Sequence, residues 1–393
     1  MQRAVLNCAA MRVAETTELS GRVTADEVNL ERFHNRIRKV CALIAATLIP
    51  SSLRWILLFF VLIVPQVLWG GANPSATPGQ TWHATVGAQT ADKGRQALAF
   101  LPNEIWIHAG DRITWRFEAD DVHTVTFLNA TDKRPDFLVG PPNGFTTGSA
   151  SFDGSTSIST PLLVNGATFT VTFPNTGNFK LVCLVHERMT GAVHVLESSQ
   201  PLPHDQDFYD RQAADQRRDL LSDRDGHLEE ACRQHGDQGD HSIDAHLVTV
   251  GVGEISATAG GSQTLSVVRF IDHTIVIHAL ETVEWDNHDP VTPHTVTFGT
   301  EPPNILGPPV GNVPITTDAD GALHASISSN ADNVHSGLIV APPQELIGQN
   351  FPLGVTRFRV TFTRAGTFPY ICALHDDLGM KGMVIVFPKF PFQ

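Results

Sequence analysis

The sequence predicts an all-β chain made of two tandem copies of one domain. Apolar runs are short and end in turn residues, the chain holds 31 Gly and 25 Pro, and apolar periodicity of helical length is scarce. Long phrases also recur: Ile105–Trp115 matches Ile275–Trp285, and Phe169–Cys183 matches Phe358–Cys372. The repeat has the length of a domain rather than of a solenoid unit. At 393 residues, 17% charged and 42% hydrophobic, the chain is globular and long enough for two or three domains.

Residues 1–72 come first. Residues 1–39 are polar and end in Arg32, Arg36, Arg38 and Lys39. Next comes an apolar stretch from Val40 to Trp69, broken at Pro50–Arg54 and strongest from Trp55 to Trp69. We read this as a hydrophobic leader helix. It is either a cleaved signal peptide, with small residues at Gly70-Gly71-Ala72, or an uncleaved membrane anchor through residues 40–69. Basic residues ahead of the apolar run hold the N-terminus in the cytoplasm and export residues 73–393, which predicts a periplasmic or extracellular protein.

A Pro/Gly/Ser/Thr spacer at Asn73–Gln80 leads into the first domain, residues 81–197. There, Ile105–Trp115 alternates apolar and polar residues across Gly110-Asp111, giving two strands with a tight connection. Phe169–Phe173 and Phe179–Cys183 form a second strand pair, and Ala192–Leu196 closes the domain. Residues 198–244 hold twelve Asp/Glu and five Arg and almost no β-branched residues. They read as an acidic, solvated linker. The alternative is a short amphipathic helix within Phe208–Gln234, packed across the domain interface with Leu220, Leu221 and Leu228 on one side. The second domain, residues 245–393, repeats the strands and closes with Met383–Phe387.

Formal net charge is -14, and the leader alone carries eight Lys/Arg against five Asp/Glu, so the exported part is more acidic still. That argues against nucleic acid as a partner. It suits a soluble partner with a basic docking face, although acidity for solubility fits equally well. Cys8 and Cys41 lie in the leader and Cys232 in the linker. Cys183 and Cys372 sit in the repeated phrases, and no disulfide is suggested.

Those phrases carry the chemistry. His123-Thr-Val-Thr-Phe recurs as His294-Thr-Val-Thr-Phe. Downstream, Cys183-Leu-Val-His186-Glu-Arg-Met189 recurs as Cys372-Ala-Leu-His375-Asp-Asp-Leu-Gly-Met380. One distant His, one Cys, one near His and one Met is the ligand set of a mononuclear blue-copper centre. Two imidazoles and a thiolate form its trigonal plane, and a thioether lies along the axis. Sulfur ligands favour Cu(I) and imidazole serves both oxidation states, so such a site can cycle one electron. The short Cys-x-x-His spacing lets a single loop offer S and N to one ion. Two copper ions are therefore predicted, one per domain. Cys232-Arg-Gln-His235 has the same spacing but lacks the upstream phrase and the Met, and reads as coincidence. His108 and His278 recur at turns and read as surface residues. Between distant His and Cys, Pro-rich runs such as Gly140–Gly144 and Gly307–Gly311 read as decorating loops.

These motifs resemble the cupredoxin family. The first ligand loop is similar to the short loop of amicyanin, the second to the longer loop of plastocyanin and pseudoazurin. The resemblance covers both domains but neither leader nor linker. It implies two tandem cupredoxin-like Greek-key β-sandwiches. It carries over His123, Cys183, His186 and Met189 as one copper site, and His294, Cys372, His375 and Met380 as the other. It also implies that electrons pass through exposed ring edges of His186 and His375, with Leu184, Val185 and Leu374 as a docking patch. Two-domain cupredoxins include nitrite reductases and small laccases, in which a His directly follows the copper-binding Cys and feeds a catalytic copper. Here Leu184 and Ala373 stand in that place, and His-x-His occurs nowhere. The reading is an exported electron-transfer protein without catalytic residues, serving redox partner proteins. The alternatives are a copper-binding or storage module of the cell envelope, an adhesion module with a vestigial site, and a two-domain copper oxidoreductase.

Overall fold

The computed structural model describes residues 79–222, 245–341 and 355–389. The leader, Cys232 and the second half of the linker lie outside the described residues. Among those described, no helix is long and apolar enough to cross a membrane.

The first domain runs β1 (Thr81–Gln89), β2 (Arg95–Leu101), β3 (Glu104–His108), β4 (Arg112–Phe117), β5 (Thr126–Phe127), β6 (Ser149–Ser151), β7 (Ile158–Ser159), β8 (Thr168–Thr172), β9 (Gly177–Val182) and β10 (Thr190–Leu196). Helix α1 (Gln206–Leu221) comes after it. The second domain opens with β11 (Ala245–Thr258), β12 (Gly261–Ile271), β13 (Thr274–His278), β14 (Thr282–His288), β15 (Thr297–Phe298) and β16 (Val310–Gly311). It continues with β17 (Ile315–Thr317), β18 (Leu323–Ile327), β19 (Val334–His335), β20 (Arg357–Phe362), β21 (Gly366–Ile371) and β22 (Lys381–Phe387).

Each domain is a β-sandwich. In the first, β2-β1-β4-β8-β6 faces β3-β10-β9-β5-β7; in the second, β12-β11-β14-β20-β18-β17 faces β13-β22-β21-β15-β19-β16. The alternation read at Ile105–Trp115 buries Ile105, Ile107, Ile113 and Trp115. Its two strands lie in different sheets, however, so the tight connection turns the chain from one layer to the other. The Asp111 carboxylate fixes that corner by accepting hydrogen bonds from His108 N, Gln80 N and Trp82 Nε1. Between the layers, Trp115 packs on Phe127 with ring centroids 5.6 Å apart, and Trp285 packs on Phe298 at 5.7 Å. Each fully buried Phe in these cores contributes about 2–3 kcal/mol relative to exposure.

The domains join edge to edge. β2 and β12 pair antiparallel, so the two large sheets form one eleven-stranded sheet. The join is symmetric. Phe100 pairs with Val86 as Phe270 pairs with Val250, and Ala97 with Ala88 as Val267 with Val252. Gln96 and Ser266 are therefore equivalent, and they are the pair at the centre of the join, with Arg95 facing Val267 and Ala97 facing Leu265 on either side. An apolar cluster of Ala97, Ala99, Leu101, Val252, Leu265 and Val267 backs it.

Helix α1 replaces the solvated linker over the first half of residues 198–244. Asp205 caps it by accepting from Phe208 N at 2.9 Å. Tyr209 and Leu220 are buried. The Tyr209 hydroxyl accepts from Trp106 N, and Leu220 joins the apolar cluster behind the domain join. The helix is amphipathic, as in the alternative reading, but its partners lie mainly on the first domain.

Candidate metal centres

In each domain the distant His comes after a loop off the large sheet, and the other three residues come from the loop into the last strand. His123 pairs across a bridge with Leu163, and His294 with Ile339. The ligand loop closes on itself: Cys183 N donates to Met189 O at 3.0 Å, and Cys372 N to Met380 O at 3.1 Å. The longer second loop adds a turn ending at Gly379, whose φ is +90°.

The structure brings His123, Cys183 and His186 together, and likewise His294, Cys372 and His375. Within each trio the donor atoms all lie within 4.8 Å of one another, and all six residues are buried. His123 Nδ1 and His186 Nδ1 are 3.1 Å apart, with Cys183 Sγ 3.8 Å from His186 Nδ1. In the second centre the two Nδ1 atoms are again 3.1 Å apart, and Cys372 Sγ lies 3.9 Å from His294 Nδ1 and 3.4 Å from His375 Nδ1. Atoms that each bind one ion at about 2.0–2.3 Å take up this mutual spacing. Met189 and Met380 are fully buried at the loop ends.

The electrostatics fit a metal. Burial, then the His186 charge, hold His123 down to about 3. His186 is also held down to about 3, by burial first and then by His375 and Arg134, although the Asp121 carboxylate lies 3.4 Å from its Nε2. Burial keeps His294 well below the ordinary range. These rings are neutral at pH 7, the form a metal requires. His375 differs. Burial pulls it down, but the Cys372 thiolate outweighs burial and raises it to about 8, helped by Asp121 and Asp289. Burial would raise the Cys372 thiol, but His375 and the backbone N–H groups of Thr295 and Leu374 bring it below its ordinary value. Each of the two groups favours the charged form of the other, and an ion held there would take the place of the proton.

Three supports lie beyond the ligands themselves. First, Thr124 N and Thr295 N donate to the cysteine sulfurs at 3.4 and 3.3 Å, while the threonine hydroxyls accept from Leu184 N and Ala373 N. Their signal was the Thr in the repeated His-Thr-Val-Thr-Phe. Second, Gly87 and Gly251 sit at bulges in β1 and β11 with φ of +68° and +78°. A Cβ at Gly87 would lie 2.5 Å from His123 Nε2, and one at Gly251 would meet His294 Nε2, so only glycine lets strand and ring approach this closely. Thr85-Val-Gly87 recurring as Thr249-Val-Gly251 could have flagged them. Third, Asp121 beside His186 had no sequence signal.

The exposed ring edges are not there. His186 is 3% exposed, His375 5% and Leu184 3%. Residues of the other domain reach this end: Ser262 of the second domain bonds the backbone beside Met189, and Val291 lies in the apolar core of the first domain.

Residues 86–196 match the plastocyanin/azurin family of copper-binding proteins. No curated protein matches the chain. Among solved structures, oxidised plastocyanin from Dryopteris crassirhizoma is 16% identical, covering 36% of this chain and 99% of its own, with a TM-score of 0.18. Reduced auracyanin from Roseiflexus castenholzii is 16% identical over 30% of this chain and 99% of its own, at 0.22. A copper-containing nitrite reductase from Thermus scotoductus is 13% identical over 80% of this chain and 69% of its own, also at 0.22.

Proposed function

We propose that both domains of this chain are cupredoxins, the first by its family match and the second by repeating the same ligand trio, and that the protein is an exported electron carrier with one type 1 copper per domain. One observation carries the reading: two buried trios of two imidazoles and a thiolate, each closed by a loop that ends in a buried methionine. His123, Cys183, His186 and Met189 would hold one ion and His294, Cys372, His375 and Met380 the other. Copper supplies a one-electron couple at each centre. The chain's part is rigidity. Thr124 and Thr295 fix the sulfurs, Gly87 and Gly251 seat the distant rings, and the surrounding apolar core keeps water out. No change of ligand is needed between oxidation states, which keeps electron transfer fast.

Leu184 and Ala373, standing where an enzyme of this group would place a relay histidine, support a carrier over an oxidase or reductase. The leader supports export, and the acidic balance supports a redox partner with a basic face. The test is spectroscopic. The copper-loaded protein should hold two ions per chain and show the intense thiolate-to-copper band and the narrow EPR hyperfine splitting of type 1 sites. Cys183→Ser and Cys372→Ser should each remove about half of that band. A replacement that leaves the band whole removes its domain from the assignment.

A further inference from the structure

We propose that the molecule is an internal electron relay, in which one electron passes directly between the two centres by way of His186 and His375, across the buried contact between the domains. The proposal rests on the type 1 copper reading and adds to it what the domain packing permits.

The packing is end to end. Gly87 and Gly251 mark the ligand-bearing end of each domain, since both lie against the distant histidines. They sit beside Ala97 and Val267, the residues at which β2 and β12 meet the other domain. The antiparallel join therefore sets the two ligand ends against each other. Side chains cross in both directions. From the second domain, Ser262 Oγ donates to Arg188 O at 2.6 Å and Ser262 N donates to Thr190 Oγ1 at 2.9 Å, on either side of Met189. In the other direction, Arg269 Nη1 donates to Leu378 O beside Met380, while its Nη2 donates to Asp92 O of the first domain. The loops before the distant histidines also cross. Val291, three residues before His294, belongs to the apolar core of the first domain. Asp121, two residues before His123, reaches His375 electrostatically, and the His375 charge is felt at His186.

This arrangement explains the burial of both rings. Both are buried, with residues of the other domain bonded to or packed beside the ligand loops, rather than left open for a docking protein. The two rings would belong to opposite centres, and side chains of both domains pack around the ligand loops that carry them, which couples two redox sites better than a solvent gap. The balance is closed: one centre goes from Cu(I) to Cu(II) as the other goes from Cu(II) to Cu(I), with no further reagent and no net proton.

The decisive measurement is EPR on the fully oxidised two-copper protein. The two spins should broaden each other, so that the sum of the Cys183→Ser and Cys372→Ser spectra fails to reproduce the wild-type spectrum. Loading the unaltered chain with mixed copper and zinc dilutes the pairs and should remove the broadening in proportion, independently of how either variant folds. After a substoichiometric pulse of a small one-electron reductant, redistribution between the centres should be first-order, with a rate unchanged by tenfold dilution. Additive EPR spectra, or a rate that falls tenfold with the dilution, would overturn the relay while leaving two blue centres intact. Absence of the blue band would instead remove the copper reading beneath it.

Discussion

At one slot in the large sheet, Thr114 meets Thr170 in the first domain and Glu284 meets Arg359 in the second. The threonine hydroxyls share a 2.9 Å hydrogen bond. Arg359, 2% exposed, donates through Nε to Glu284 and through its Nη atoms to Asp318 and Asp320. Beside the bridge to the distant His the domains differ again: Leu162 and Val164 are 37% and 43% exposed, whereas Leu338 and Val340 are 7% and 6%. Around the metal-binding trio nothing comparable changes. Glycine bulge, threonine clamp and self-closing loop recur in both domains. The frame leaves sheet-face pairs and outer loops free to vary and holds the ligand geometry fixed.

That division can be broken most forcefully at the glycines. Gly87→Ala should push His123 out of place and empty the first centre of copper, leaving the second full; Gly251→Ala should do the reverse. Copper per chain should fall from two to one in each variant. A variant that loses both ions would show that the centres are not built independently.

The variable slot should behave unlike the frame. Arg359→Met takes from buried Glu284 its closest charge partner and leaves only Arg357 at 4.0 Å, and breaking such a pair costs about 3–5 kcal/mol. Thr170→Val in the first domain removes one neutral hydrogen bond and should cost about 1 kcal/mol. Denaturant unfolding of the two variants side by side checks the contrast, and both should keep two coppers. Equal losses would mean that the slots are not alternatives.

A smaller effect separates the centres electrically. Asp121→Asn removes a negative charge 3.4 Å from His186 and should raise the midpoint potential of the first centre by favouring Cu(I), with a lesser rise at the second. Spectroelectrochemistry of each single-site background reads the two shifts. The smallest effect is on acid stability. The hydrogen bond from Arg359 holds Asp320 down to about 2. A carboxyl depressed on folding stabilises above the ordinary carboxylate range, and that contribution fades as pH falls toward its folded value. Asp320→Asn should flatten the acid limb of the second domain's stability between about pH 4 and 2. The residue's partial exposure keeps the change small.

The ligand trios were legible because chemistry forces rare residue types into fixed spacings within one loop, and because each phrase occurs twice. The strands around Trp115 and Trp285 were legible from alternation. Alternation reports which residues are buried but not which sheet a strand joins, so the tight connection of β3 to β4 was legible but their placement in opposite layers was not. The burial of His186 and His375 was not legible. It arises from β2 meeting β12, and an edge that pairs with the next domain has the same local pattern as one that faces water. The linker's acidity outweighed the spacing of Tyr209, Ala213 and Leu220, whose apolar contacts explain helix α1.

An edge strand that pairs with its own counterpart about a local twofold is how many homodimers are sealed. Writing that contact into one polypeptide makes it independent of concentration: the two halves stay together at any dilution, where separate subunits would drift apart. It also means that neither half is self-sufficient. Cut free, each would bare β2 or β12 as an open edge ready to take up a foreign strand.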